Sequence, residues 1–134
     1  FYDELLKPTK IYNNVVRQML SADIEIKAMS HITGGGIPEN LPRCIPSEFI
    51  PYINTDSWDI PILFKFLKDR GMVPEKDFWN TFNLGVGFCL IIDKKFKDAI
   101  LSICKDYGID SWEIGKIVRK NNSTISKFLP EILT

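Results

Sequence analysis

The sequence His-Ile-Thr-Gly-Gly-Gly at residues 31–36 lies where a predicted strand meets a predicted helix. The strand is predicted over residues 27–33, and residues 37–42 predict a short helix with Pro38 in its first turn. Three successive glycines allow positive φ angles and leave their backbone N–H groups unshielded. A loop of this kind between a strand and a helix predicts a concave site that binds anions.

Two side chains near this loop suit a phosphate or carboxylate ligand. Thr33 supplies a hydroxyl, and Arg43 supplies a planar cation that pairs well with such anions. His31 and Thr33 are expected on the same side of the strand, because side chains alternate along it. The loop matches neither the Walker loop nor the dinucleotide fingerprint. A flexible turn with a surface arginine therefore stays open as an alternative, and so does a hydrogen-bonded core role for His31.

A second stretch with glycines, Thr-Phe-Asn-Leu-Gly-Val-Gly at residues 81–87, begins a segment of alternating character. The alternation over residues 82–92 predicts a strand with one face almost bare at Gly85 and Gly87. A bare face indicates the close approach of a ligand or of another part of the chain. Asn83 lies on that face and would donate either to a ligand or to a neighbouring strand. Tight packing of a helix on the sheet is the alternative.

The remaining segments predict an α+β domain with helices packed on a mixed, mostly antiparallel sheet. A first helix capped by Thr9 would place Lys10 at the positive end of the helix dipole, where a cation favours an anionic partner. A second helix is predicted to start at Asp56, Ser57 or Asp59, with Pro61 early in it and Gly71 as its stop. Further helices are predicted from Pro74 to Trp79 and over residues 94–107, where Gly108 is the stop. Other strands are predicted at residues 48–54, where Pro51 favours an edge, and at residues 111–119.

The composition narrows the classes of function. Seventeen Lys and Arg residues balance seventeen Asp and Glu residues, which argues against a nucleic-acid-binding protein. No apolar run approaches the roughly 18 residues of a membrane span, and no signal-peptide pattern is present. Cys44, Cys89 and Cys104 lie far apart, and His31 is the single histidine. We therefore expect no metal site, no disulfide framework and a reducing, cytoplasmic location.

Five segments together resemble a known family. They are Pro-Thr-Lys-Ile-Tyr at 8–12, His-Ile-Thr-Gly-Gly-Gly at 31–36, Glu-Asn-Leu-Pro-Arg at 39–43, Ser-Trp-x-x-Pro at 57–61 and Thr-Phe-Asn-x-Gly-x-Gly at 81–87. In this order they are similar to the C-terminal half of phosphoribosylformylglycinamidine cyclo-ligase, also called aminoimidazole ribonucleotide synthetase. The resemblance covers about residues 4–118. Cys44, where an aliphatic residue is expected, and the tail from Asn121 depart from it.

The resemblance implies that residues 1–134 are a single domain, the C-terminal half of a longer enzyme, which the start at Phe1 without methionine also favours. The implied enzyme uses ATP to close the ring of formylglycinamidine ribonucleotide, giving aminoimidazole ribonucleotide in purine biosynthesis. ATP and Mg²⁺ would be bound mainly by the N-terminal half, so the isolated chain would be inactive. The full-length enzyme would be a cytoplasmic homodimer that binds a small ribonucleotide and neither nucleic acid nor membrane.

The resemblance also implies which residues face the substrate. The candidates for substrate and phosphate binding are His31, Thr33, Gly34, Gly35, Gly36, Asn40 and Arg43, with Lys10, Asn83 and Gly85 as a secondary set. His31 is the one catalytic candidate, and no general base is assigned. Two other classes stay open: a non-enzymatic ligand-binding or interaction module of the same fold, and another superfamily member such as a selenophosphate synthetase-like enzyme.

Overall fold

The computed structural model describes residues 2–71 and 73–121, whose helices and strands confirm the predicted α+β class. The helices are α1 (Tyr2–Leu5), α2 (Asn13–Ser21), α3 (Gly36–Asn40), α4 (Ile62–Asp69), α5 (Glu75–Thr81) and α6 (Lys97–Asp106). Short 3-10 helices follow α3 at Leu41–Cys44 and precede α6 at Lys94–Phe96. The strands are β1 (Ile26–His31), β2 (Phe49–Ile53), β3 (Phe88–Ile92) and β4 (Gly115–Arg119).

The strands form two antiparallel ladders, whereas the sequence predicts one mixed, mostly antiparallel sheet. β1 pairs with β3, and His31 lies opposite Phe88 at the end of that ladder. β2 pairs with β4, and Pro51 lies opposite Ile117. Within the described residues each strand has one partner, so β2 is an edge strand as predicted. Pro51 fits there because it has no N–H to offer a second neighbour.

Two apolar clusters hold these elements together. One lies between α2, α6 and the β1–β3 ladder and is centred on Val15, Met19, Ile24, Ile100 and Cys104. The other lies under the glycine loop, where α3 and α5 pack, and contains Ile32, Ile37, Leu41, Trp58, Phe78, Trp79, Leu84, Val86 and Cys89. Burial of apolar surface is the main favourable term in folding, so the second cluster fixes the position of the loop above it.

The predicted strand over residues 82–92 is wrong in its first half. β3 begins at Phe88, and the preceding residues form a turn in which Leu84 has φ 50° and Gly85 has φ 96°. Both angles lie in the left-handed region, which a strand does not visit. The apolar alternation arises because Leu84 and Val86 are anchored in the core at 1% and 5% exposure while the chain turns between them.

Two predicted helix starts are also wrong. α2 begins at Asn13, with Tyr12 in the N-cap position, and not after a cap at Thr9. Lys10 therefore lies exposed ahead of the helix and not at the positive end of the helix dipole. α4 begins at Ile62 with Pro61 in the N-cap position, beyond the predicted polar starts at Asp56, Ser57 and Asp59. In both cases a residue packed against the fold, Tyr12 on Phe88 and Pro61 on Gly85, sets where the helix begins. Local capping preference was overridden by tertiary contact.

The other predicted elements are present with shorter or shifted bounds. The predicted strand at residues 111–119 starts only at Gly115, and that at residues 27–33 ends at His31. Gly71 and Gly108 have φ of 64° and 65°, which confirms them as helix stops. The tail that the sequence analysis begins at Asn121 lies, from residue 122 onward, outside the described residues. In the part of the chain that is described, no helix combines the length and the apolar character needed to cross a membrane.

Candidate functional site

The glycine loop, which we define as Thr33–Gly36, is a tight turn that requires glycine at two positions. Gly35 and Gly36 have φ of 94° and 61°, which confirms the prediction of positive φ. The Gly36 N–H donates to the Thr33 carbonyl across the turn at 3.0 Å. A Cβ at Gly36 would collide with the backbone carbonyls of Trp79 and Phe82. The loop therefore lies directly on α5 and on the chain that leaves it.

Asn40, at the end of α3, holds the loop from the inside. Its side chain is 5% exposed, and its Nδ2 donates to the carbonyls of Gly36 at 2.8 Å, Gly34 at 3.1 Å and Thr33 at 3.4 Å. The amide donors are thus fully used within the protein. Asn40 shapes the loop, and its side-chain amide has no N–H group left to donate to a ligand.

The N–H groups of Gly34 and Gly35 remain uncommitted. Neither donates a hydrogen bond to an acceptor in residues 2–71 and 73–121. A Cβ at Gly34 would meet no atom within 4 Å, so open space lies beside it. Because backbone N–H groups are strong obligatory donors, these two suit an incoming acceptor such as a phosphate oxygen.

Arg43 is joined to the loop through two polar contacts. Its Nη1 donates to Asn40 Oδ1 at 3.4 Å, and its Nη2 forms an ion pair with Glu39. Both ion-pair side chains are well exposed, at 62% and 59%. The Glu39 side chain also runs against Gly35, where it would meet an added Cβ. Glu39, which belongs to the segment at residues 39–43 but was not among the predicted site residues, therefore offsets part of the positive charge that Arg43 brings to the loop.

His31 and Thr33 are both exposed, and Ile32 between them is buried at 1%. This confirms that they share one side of the chain, and it excludes a buried core role for His31. The imidazole packs beside two aromatic rings, Tyr12 at 6.2 Å and Phe88 at 6.1 Å between centroids. Tyr12, which the sequence analysis named only as the end of the segment at residues 8–12, is therefore also a neighbour of the site.

The turn Phe82–Gly87 abuts the glycine loop but uses its own polar groups internally. Asn83 Oδ1 accepts from the Gly85 N–H at 3.1 Å, and the Trp58 indole N–H donates to the Leu84 carbonyl at 2.9 Å. A Cβ at Gly85 would lie 2.7 Å from Cδ of Pro61. The bare positions therefore reflect close packing within the protein, which is the alternative that the sequence left open. Asn83 and Gly85 act as turn residues.

All five segments singled out in the sequence converge here. The Ile32 N–H donates to the Gly87 carbonyl at 2.9 Å, which ties the glycine loop to the turn. Tyr12 reaches the turn at Gly87, and the segment at residues 57–61 reaches it through Trp58 and Pro61. Lys10 forms no hydrogen bond or ion pair with the loop among the described residues, although it precedes Tyr12 by two positions.

Burial also sets the ionisation of two groups behind the site. Desolvation, with a smaller effect from Cys44, raises the pKa of the Cys89 thiol to about 12. Desolvation, with a smaller effect from Cys89, raises the pKa of the Tyr12 hydroxyl. Both groups are neutral near pH 7, and Cys89 is not a nucleophile there. In the described ranges no three His, Cys, Asp or Glu side chains form a group that could hold a metal ion.

Comparison with known proteins identifies the family. The model of "AIR synthase related protein, C-terminal domain" matches residues 1–127. Over all 134 residues the chain is 90% identical to the phosphoribosylformylglycinamidine cyclo-ligase of Prochlorococcus marinus strain MIT 9301, of which it covers 39%. It is 43% identical over 122 residues, 91% of the chain, to the protein of that name from strain MIT 9313, of which the match covers 35%. The chain thus spans well under half the length of these curated relatives. It belongs to the AIR synthase related protein family, as a C-terminal domain.

Proposed function

We propose that this chain is the substrate-facing C-terminal domain of a phosphoribosylformylglycinamidine cyclo-ligase. The complete enzyme would convert formylglycinamidine ribonucleotide to aminoimidazole ribonucleotide with consumption of ATP, a step of purine biosynthesis. The 90% identity over the whole chain to a protein of that name supports this proposal. Because the chain covers 39% of that relative, the complete reaction is assigned to the longer protein and not to this chain alone.

The observation that carries the proposal is the glycine loop with its two uncommitted N–H groups. A ribose phosphate is a doubly charged group that needs several donors to replace its water. Gly34 and Gly35 supply backbone donors, Thr33 supplies a hydroxyl, and Arg43 supplies a cation at the same edge. Asn40 holds the loop carbonyls away from the ligand by binding them from the buried side. A loop held in this way is better suited to binding a phosphate than a flexible turn would be.

Within this reaction the residues of this chain would bind and orient the ribonucleotide substrate. Ring closure requires the amidine nitrogen and the formyl carbon of one substrate to be held together, and holding reacting groups in place lowers the barrier. The glycine loop and Arg43 would fix the phosphate end. His31, exposed beside the loop, would face the remainder of the substrate. We assign no general base.

ATP and Mg²⁺ belong to the part of the enzyme beyond this chain. Among the described residues no three His, Cys, Asp or Glu side chains form a group that could hold a metal ion. ATP would make the formyl oxygen a better leaving group. We further propose that the full-length enzyme is a cytoplasmic homodimer. The free thiols of Cys44, Cys89 and Cys104 support a reducing location.

The proposal is tested with the full-length protein that contains this chain. Wild-type protein should form aminoimidazole ribonucleotide from formylglycinamidine ribonucleotide when ATP and magnesium are supplied. Arg43→Ala should raise the KM for the ribonucleotide by about tenfold or more, since a hydrogen bond to a charged group is lost. It also leaves the Glu39 carboxylate unpaired beside the loop, so adding Glu39→Gln should recover part of the loss.

Arg17→Ala is the matched control, because Arg17 is exposed on α2, whose buried residues pack with those of α6 and not in the cluster under the loop. It should keep the wild-type KM. Absence of product from a folded full-length protein would overturn the cyclo-ligase proposal. An unchanged KM in Arg43→Ala would leave the reaction standing and remove Arg43 from the phosphate site.

A further inference from the structure

Three rings meet where the β1–β3 ladder ends and the glycine loop begins. Tyr12 and Phe88 lie 5.1 Å apart between centroids at an interplanar angle of 33°. His31 stands edge-on to Tyr12 at 6.2 Å and 66°, and lies 6.1 Å from Phe88. His31 and Phe88 are also the last paired residues of the ladder. The imidazole is therefore bordered on two sides by rings while it stays open to solvent.

The position of Tyr12 is itself determined by the turn. Its hydroxyl lies where a Cβ of Gly87 would be, so the absence of a side chain at Gly87 makes room for it. The Gly87 carbonyl accepts from the Ile32 N–H at 2.9 Å, directly after His31. The Tyr12 carbonyl accepts from the Val16 N–H at 3.1 Å, which joins the Tyr12 backbone to the start of α2. Tyr12 thus links α2, the turn and the end of β1.

The Tyr12 hydroxyl has no hydrogen-bond partner in residues 2–71 and 73–121. The ring is half-buried, and burial together with Cys89 raises its pKa, which keeps the hydroxyl neutral. Tyr12 and His31 contact each other through the packing of their rings and not through the Tyr12 hydroxyl.

We infer that Tyr12 is a positioning residue whose ring holds the His31 imidazole beside the glycine loop, where the ribonucleotide is proposed to bind. The contact between Tyr12 and His31 stands on the geometry alone. Its effect on turnover rests on the proposed function, because only that proposal places substrate beside His31. If the ring is removed, the imidazole gains freedom to rotate away from the loop.

A substitution at Gly87 tests the same contact by displacing the Tyr12 ring instead of removing it. Its φ lies outside the left-handed region, so alanine is accepted by the backbone there. The new Cβ would displace the Tyr12 hydroxyl and with it the ring. In the Tyr12→Phe background the hydroxyl is absent, and the nearest remaining ring atom, Cζ, lies 3.2 Å from the Cβ position. The double variant Tyr12→Phe with Gly87→Ala should therefore relax back toward wild-type geometry.

The test uses the full-length protein labelled with ¹³C-histidine, with the His31 signal assigned by its loss in His31→Gln. Tyr12→Leu and Gly87→Ala should each shift the His31 Cε1–H signal, because the ring current of Tyr12 is lost or moved. Tyr12→Phe and the double variant should keep the signal near its wild-type position. In the assay, kcat/KM should fall by about tenfold or more in Tyr12→Leu, while Tyr12→Phe stays within about twofold of wild type.

The outcomes separate the inference from the proposed function. A His31 signal unmoved by Tyr12→Leu overturns the positioning role, and so does full activity in Tyr12→Leu when His31→Gln is impaired. Full activity in His31→Gln removes His31 from the proposed site itself. Should Tyr12→Leu fail to fold, Gly87→Ala and its rescue by Tyr12→Phe give the same decision, because neither creates a cavity.

Discussion

The glycine loop at Thr33–Gly36 and the turn at Phe82–Gly87 look alike in sequence but differ in what they leave free. Each contains glycine at positive φ and is bonded by an Asn side chain, and the N–H of Ile32, directly before the loop, donates to the Gly87 carbonyl at the end of the turn. In the turn, Asn83 and Trp58 bind the backbone polar groups. In the loop, a buried Asn40 donates to backbone carbonyls, and the N–H groups of Gly34 and Gly35 stay unused.

The difference teaches that glycine content does not identify a ligand site. What distinguishes the two regions is which backbone groups the rest of the protein satisfies. A side-chain amide that donates to carbonyls leaves donors for a ligand, whereas a side-chain oxygen that accepts from an N–H removes one. The loop is therefore suited to an anion, and the turn supports it from below.

The largest expected effect is the loss of stability in Gly36→Ala, which breaks the contact between the two regions. The added Cβ meets the backbone carbonyls of Trp79 and Phe82, which cannot rotate away, and φ at this position is 61°. Strain and overpacking together should cost about 3 kcal/mol of unfolding free energy. Urea unfolding measures this. A midpoint equal to that of wild type would contradict the close approach of the loop to α5.

Asn40→Ala and Asn83→Ala compare the two asparagines directly. Asn40→Ala should lose about 2 kcal/mol of stability, because buried loop carbonyls lose their donor. Asn83→Ala should lose about 1 kcal/mol, because a single hydrogen bond to the Gly85 N–H is removed from a half-buried site. Under conditions where both fold, Asn40→Ala alone should raise the ribonucleotide KM. Equal KM values in the two variants would contradict the view that the loop binds the ribonucleotide and the turn does not.

Trp58→Phe tests whether the turn has only a structural role. It keeps most of the aromatic volume but removes the indole N–H that donates to the Leu84 carbonyl at 2.9 Å. We expect a loss of about 1–2 kcal/mol, read from thermal or urea unfolding, with kinetic constants close to those of wild type. A rise in KM larger than that of Asn40→Ala would assign the turn a part in binding.

The smallest effect on stability is expected for Gly34→Ala. Nothing lies within 4 Å of the added methyl group, and φ is not in the left-handed region. The unfolding free energy should stay within about 0.5 kcal/mol of wild type. The methyl group would stand in the open space beside the uncommitted N–H groups, so the ribonucleotide KM should rise. Unchanged kinetics would indicate that the ligand does not approach this side of the loop.

Local features of the fold were predictable where the interactions that determine them join residues close together in the sequence. The glycine stops at Gly71 and Gly108 and the strand–loop–helix order around residue 34 depend on near neighbours along the chain, and they are confirmed. The first half of the predicted strand over residues 82–92 was wrong because a buried turn and a strand can show the same apolar alternation. The start of α2 was wrong because Tyr12 packs on Phe88, 76 residues away along the chain.

By itself the sequence determined the α+β class, the need for positive φ in the glycine loop and the family to which the chain belongs. These depend on residue type and order alone. Only the tertiary structure decided that Asn40 donates inward to the loop, that Gly85 makes room for Pro61 and that Tyr12 borders His31. Each of these features depends on which side chains and backbone groups are in contact in the folded protein. That is decided by packing, because a polar group left unpaired in the core is costly and every contact in the core competes for space.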